Sequence, residues 1–397
     1  MEKLNEPLLG GSDPKRQHPL LNSAILGAAM FFILLLNYYN QYYISNIQAF
    51  FINSLSFVAI LISSLLITKL REKISILIST LILFFIFIIN VNLPSISVIS
   101  YIIQPFANNL LWIAAGTYIM TISDKCNIGQ NFGLFFFVTS FLNGLFSVST
   151  TNFYNISQFI YIVFMAIAVV LILLLKNPCC EQNENITVAG SDPHSFLNAI
   201  AYPMSLWSDK KFLYLVPAIA LLGIVSLLFP IGLLATTLNP FAYTQNVSGA
   251  FYFLGAVASL FFGFLFDRFE KKYLLYAIAT FGAIGAALNI GFSNTTCCTQ
   301  GQVNLAYASL IFNTIAQYGL KVLVFSLLGS IYLDCRSLSA NVCYQLLSTS
   351  AFLIVYLIFY YVSFTACFYI YFLILILACI GIFKFLSSND DQEQLIV

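Results

Sequence analysis

Charge is what this sequence has least of. Only 8% of its 397 residues are Asp, Glu, Lys or Arg, against about 25% in an ordinary soluble domain. A chain of this length cannot cover itself with so few charges in water, and 60% of it is hydrophobic. The charges are also missing from particular places. No Asp or Glu falls in the middle of an apolar run, which argues against proton coupling through a buried carboxylate. No nucleophile–base set, phosphate loop or metal-ligand spacing is present; enzyme chemistry has no residues to stand on, and no metal or cofactor is implied. With a net charge of +1, nothing points to nucleic acid as a partner. The first twenty residues are polar and contain three prolines, which is not the form of a cleavable signal peptide.

What is present is a succession of apolar runs about 20 residues long, the length of a helix that crosses a bilayer. They are continuous and do not alternate, so a β-barrel is disfavoured. We read twelve spans: 21–41, 47–67, 74–91, 98–122, 132–148 and 157–175, then 212–236, 248–266, 273–291, 305–333, 340–361 and 365–385. The expected fold is an all-α polytopic membrane protein surrounded by membrane lipid. Its parts are a tail (1–20), a six-helix half (21–176), a connection (177–211), a second six-helix half (212–386) and a closing tail (387–397).

The charges test this layout. Lys69, Arg71 and Lys73 fall between spans two and three, Lys125 between four and five, and Arg268, Lys271 and Lys272 between eight and nine. Lys176, Lys210 and Lys211 bracket the connection, Arg336 follows span ten, and Lys3, Lys15, Arg16 and Lys384 lie near the termini. All share one side, which the excess of basic residues marks as cytosolic. The loops of the other side contain no charged residue. Both termini are therefore expected in the cytosol. In the connection, the part up to Pro193 reads as solvated, and 196–207 has the composition of a segment lying on the membrane surface or of a structured linker.

The densest charge cluster is Gly263-Phe-Leu-Phe-Asp-Arg-Phe-Glu-Lys-Lys272. Gly263, Leu265, Asp267, Arg268, Lys271 and Lys272 resemble the loop motif Gly-x-Leu-x-Asp-Arg-x-Gly-Arg-Arg of the major facilitator superfamily, with Glu270 in place of the second Gly. The matching loop of the first half runs Ser64-Leu-Leu-Ile-Thr-Lys-Leu-Arg-Glu-Lys73. There Lys69 and Lys73 fit, while Thr68 stands where the Asp belongs. The resemblance implies that Asp267 accepts from a neighbouring helix end and that Arg268 pairs across to another span. Leu111-Trp-Ile-Ala-Ala-Gly-Thr-Tyr118, Asn131-Phe-Gly-Leu-Phe-Phe-Phe137 and Asn143-Gly-Leu resemble segments of spans four and five in the uncoordinated-ninety-three family of that superfamily. This narrower resemblance implies an accessory or trafficking partner of other membrane proteins, such as a channel or receptor subunit. The alternative is a facilitator-type transporter of a small polar or anionic solute. Span ten departs from the family, carrying Lys321 where an acid and an Asn-Thr-Gln run are usual.

Lys321 is the one basic residue in the middle of a span, and an intramembrane charge marks function by default. Asn313, Gln317 and Lys321 recur every four residues and form a polar stripe. In the facilitator fold span four also lines the cavity, and there Asn109, Trp112 and Thr117 share a face. The bland alternative is a neutral or snorkelling lysine with amides that bridge helices. Among nine cysteines, Cys179 and Cys180 have the position of palmitoylation sites, and Cys297 or Cys298 could reach Cys367. Sequons at Asn155, Asn246 and Asn294 face outward. Asp391, Leu395 and Ile396 have the form of an acidic dileucine sorting signal, which makes an endolysosomal or vacuolar membrane the rival to the plasma membrane.

The charge pattern makes one direct prediction. Tags at both termini should resist protease in intact cells and be digested in inside-out vesicles; digestion of either tag from outside would break the twelve-span reading.

Overall fold

The computed structural model describes residues 18–41, 46–92, 97–149, 158–177, 201, 203–227, 244–293, 300–332, 336–361 and 364–394. Most of these residues are helical because backbone N–H and C=O groups have no partner in hydrocarbon, and a helix satisfies them within one segment. Twelve long helices run in chain order. The first half comprises α1 (Pro19–Gln41), α2 (Asn46–Leu70), α3 (Glu72–Asn92), α4 (Ser97–Ile122), α5 (Ile128–Ser149) and α6 (Gln158–Leu174). The second comprises α7 (Lys210–Leu227), α8 (Thr244–Arg268), α9 (Lys271–Ser293), α10 (Gln300–Ile331), α11 (Ser337–Tyr361) and α12 (Phe364–Gln394). Seven of them are long and apolar enough, over described residues alone, to cross a membrane. The protein is an integral membrane protein.

Packing repeats with a period of six helices. In the first half α1 packs on α5 and α6, α4 on α2 and α3, and α3 on α6. In the second, α7 packs on α11 and α12, α10 on α8 and α9, and α9 on α12. The contacts between halves obey the same two-fold relation: α5 meets α8 as α2 meets α11, and α5 meets α10 as α11 meets α4. Two homologous bundles thus face each other. Buried apolar side chains from both form one core that includes Met30, Phe87, Phe132, Phe262 and Phe368. Phe85, Phe159, Val170, Phe261 and Leu373 lie on the exposed outer surface, as a lipid-facing shell requires.

All described basic residues except Lys321 lie toward one end of the bundle, here called the basic end. The tightest turn there is Arg71, a single residue in the left-handed region (φ 63°) between α2 and α3.

The central connection is docked where it is described. Residues 203–205 and the turn Leu206–Ser208 lead into α7. The Cys343 thiol on α11 donates to the Pro203 carbonyl (3.0 Å). Asp209 accepts from the Tyr332 hydroxyl after α10 (2.6 Å) and from the Lys211 N–H in the first turn of α7 (2.9 Å). This segment is a strap across the basic end of the second half rather than a helix lying free on the membrane, because its polar groups find partners within the protein. α12 continues through Asp391 to Gln394, while Leu395 and Ile396 lie outside the described residues. So do Cys179, Cys180, Cys297, Cys298, Asn155 and Asn294; Asn246 lies in the first turn of α8.

Candidate substrate cavity and its closure

Lys321 lies ten residues before the end of α10 at Ile331. Trp112 lies ten residues before the end of α4 at Ile122. At 1.5 Å per residue both are about 15 Å from the basic end, halfway through a hydrocarbon layer about 30 Å thick. They are the counterparts of one another in the two halves. Between them is a cavity of about 160 Å³. α4 lines it with Trp112 and Gly116, α5 with Phe132, Phe135 and Phe136, and α10 with Gln317, Lys321 and Phe325. Leu222 of α7 and Tyr344, Gln345 and Ser348 of α11 complete the wall.

The Lys321 ammonium lies 4.2 Å from the centre of the Phe136 ring and 5.5 Å from that of Trp112. Both rings belong to the opposite half, so the charge is held across the interface through ring faces. No carboxylate or hydrogen-bond acceptor partners it among the described residues. One turn away, the Gln317 side-chain oxygen is buried and equally without a hydrogen bond among them. A cation held against ring faces beside an unmatched amide is costly, since polar groups drawn away from water must be matched. The arrangement can receive an anion.

The six residues singled out from the sequence separate into two groups. Trp112, Gln317 and Lys321 converge on the cavity. Asn313 does not: it is buried against Gly285 of α9, donates to the Ser309 carbonyl (2.8 Å) and lies 3.5 Å from the Tyr371 hydroxyl of α12. Residues four apart on a helix drift by about 40° per step, so the stripe that starts in the cavity ends inside the second half. Asn109 is likewise buried, with its amide donating to the Pro105 carbonyl of its own helix (2.8 Å). Thr117 sits below the cavity and accepts from the Asn341 amide of α11 (3.3 Å). Sequence reasoning missed Phe136, Phe325, Tyr344 and Gln345; in a chain with 40 Phe and 23 Tyr, nothing local distinguishes a cavity wall from a lipid-facing ring.

Below the cavity, toward the basic end, the halves are shut. Phe325 of α10 lies 5.3 and 5.6 Å from Phe132 and Phe136 of α5, and 4.4 Å from Tyr344. Beneath that aromatic floor Asn341 packs on Gly116, its amide also donating to the Ser337 carbonyl. On the other flank α5 and α8 approach until their backbones touch. A Cβ on Gly263 would come 2.5 Å from the Gly129 carbonyl oxygen and 2.7 Å from Gly133 Cα. Glycine is required there by proximity.

Asp267 fastens that flank. Its two carboxylate oxygens accept from the backbone N–H groups of Gly129 (2.9 Å) and Gln130 (2.8 Å), unsatisfied donors in the first turn of α5 and the positive end of its dipole. Among the described residues Arg268 does not pair across to another span. Its guanidinium lies 3.9 Å over the Phe264 ring of its own helix, and Lys271 lies 5.3 Å from Phe266. The first-half loop works differently. Thr68 donates to the Ser64 carbonyl of its own helix (2.9 Å), and Lys73 donates to the carbonyls of Leu173 (3.0 Å) and Leu175 at the end of α6. One copy of the motif bridges the halves; the other ties α3 to α6 within the first.

Removing either element of the flank should loosen one place. Asp267→Ala forfeits two charge-assisted hydrogen bonds, about 2 kcal/mol or more, and Gly263→Ala forces the α5 and α8 backbones apart. Both should speed hydrogen exchange of the first-turn amides of α5 and leave the α4–α11 contact unchanged; unaltered protection would show that the flank is held elsewhere.

No family model and no curated protein matches this sequence. Solved structures do. The chain superposes on a structure of the E. coli fucose:proton symporter FucP with a TM-score of 0.70 and 14% identity, over 92% of this chain and 98% of that one. A bacterial homologue of the iron transporter ferroportin in its outward-facing state gives 0.68 and 14% over 94% and 99%. The proton:xylose symporter XylE gives 0.63 and 15% over 94% and 96%. These likenesses support the superfamily fold and do not extend to the uncoordinated-ninety-three family. The chain has the major facilitator fold, twelve membrane helices in two six-helix halves.

Proposed function

We propose that the protein is a facilitator-type carrier that moves a small anionic solute across a membrane by alternating access. The observation that carries this reading is the Lys321 ammonium, without a carboxylate or hydrogen-bond partner among the described residues, in a cavity between the halves at mid-membrane depth. A lysine kept only for packing would be neutralised by an acid or would reach toward water. Here it stays inside, beside a bare amide oxygen. The named neighbours are transporters by their titles, which favours the carrier over the accessory role drawn from the uncoordinated-ninety-three resemblance. No observation in the fold favours a channel or receptor partner. Coupling to protons through a buried carboxylate has no residue to use, so the solute gradient itself, or exchange, is the driving force. We place both termini in the cytosol on the charge pattern, with the plasma membrane or an endolysosomal or vacuolar membrane as the site of action.

In proteoliposomes, labelled lactate, benzoate and phosphate should be tested for uptake by the wild type and by Lys321→Met. At least one anion should enter through the wild type, and Lys321→Met should abolish that entry. The variant should also be more heat-stable by about 1–3 kcal/mol, because an unmatched charge has been replaced by an apolar side chain of similar length. Undiminished uptake by Lys321→Met would overturn the ligand role; a destabilised Lys321→Met would make the lysine a packing residue.

Preloading should accelerate flux. The empty carrier must enclose an uncompensated ammonium each time it changes sides, whereas the loaded one encloses a neutral pair. Uptake into vesicles containing the same anion should therefore exceed uptake into empty ones; equal rates would mean that the empty carrier crosses freely.

A further inference from the structure

We propose that the cavity binds one arene monocarboxylate of about the size of benzoate, its carboxylate on Lys321 and its ring among Trp112, Phe136 and Phe325. This rests on the carrier reading and names the solute class of the same site. Charge is the first constraint. Among the described residues one ammonium faces the cavity and no second cation or carboxylate lines it, so a monoanion is matched, whereas a dianion brings an extra uncompensated charge.

Size is the second. About 160 Å³ is close to the roughly 150 Å³ of an engineered apolar protein cavity that takes up benzene. A single ring or short chain fits that volume. The wall is the third. Half of the twelve lining residues are aromatic. A sugar-like polyol would set its hydroxyls against ring faces that cannot bond them, while an arene offers the offset and edge contacts that such rings favour.

The polar groups are placed for one carboxylate. Phe136 and Trp112 cover one side of the ammonium, and Gln317 lies one turn further along the same helix. The Gln317 side chain lines the same cavity, so its amide N–H group can join the ammonium as a second donor to one carboxylate. Gln345 and Ser348 lie on α11 in the same wall and are left for a ring substituent.

The chain has two tryptophans. Trp207→Phe therefore leaves Trp112, in the cavity wall, as the sole indole reporter. The purified full-length protein in mild detergent is titrated with benzoate, cyclohexanecarboxylate, benzyl alcohol and benzylammonium while indole emission is followed. Benzoate should change the emission saturably. Cyclohexanecarboxylate should bind about three- to tenfold more weakly for want of a ring face, and benzyl alcohol about tenfold or more weakly for want of charge. Benzylammonium should not bind. Lys321→Met should lose the benzoate response and Lys321→Arg, which keeps the charge, should retain it.

Benzyl alcohol binding as tightly as benzoate, or no saturable response to either carboxylate, overturns the proposal. Equal binding of the two carboxylates overturns its aromatic part. Benzoate that binds but never crosses proteoliposomes removes the carrier reading and leaves the ligand class standing. Uptake of another anion that benzoate does not inhibit does the reverse.

Discussion

The contact on which the rest of the molecule depends is the approach of α5 to α8. Gly129, Gly133 and Gly263 let two backbones from opposite halves meet without side chains between them, and Asp267 then closes the seam by capping the α5 helix end. In hydrocarbon there is no hydrophobic force to press helices together, so association relies on close packing and on hydrogen bonds. This seam uses both. Because it holds the halves together near the basic end, the space above the aromatic floor of Phe132, Phe325 and Tyr344 is left as a cavity rather than filled as core.

That cavity contains the one described basic residue that lies away from the basic end of the bundle. A protein with so few charges places nearly all of them at one end, where water and headgroups solvate them. Lys321 is the exception, and the structure surrounds it with ring faces instead of an acid. Ring faces attract a cation without neutralising it, so the site keeps an electrostatic demand that a solute can meet. A carboxylate in the same position would have satisfied the lysine permanently and removed the reason for a solute to bind.

The two halves repeat each other in packing but not in chemistry. Contacts such as α5–α8 and α2–α11 are related by the internal two-fold, yet among the described residues only the first is fastened by a carboxylate on a helix end. Where the counterpart of Asp267 should be, Thr68 turns back on its own helix, and the α4–α11 side is joined by the neutral Asn341–Thr117 bond. The cavity shows the same division of labour, with Trp112 on α4 at the depth of Lys321 on α10. One half brings the charge and the other the rings that cradle it. The docked strap through Asp209 and Tyr332 adds a further tie within the second half.

The amino-acid sequence by itself determined the helices, their number and the side on which the charges gather. Those properties follow from the length of apolar runs and from the exclusion of charge from hydrocarbon, and both are written locally. The 263–272 stretch was legible for the same reason, and so was Lys321, since one ammonium in an apolar run needs no partner to be noticed. Only the tertiary structure decided which polar residues share a space. Asn313 and Lys321 lie on one stripe eight residues apart, yet the pitch of the helix turns one into the second half and the other into the cavity. Phe136 and Phe325 became site residues solely because α5 and α10 cross at that depth. Arg268, expected to reach another span, folds onto Phe264, the nearest ring face on its own helix. The meeting of Phe136 and Phe325 depends on the distance between helices that are far apart in the chain, and no local pattern encodes it.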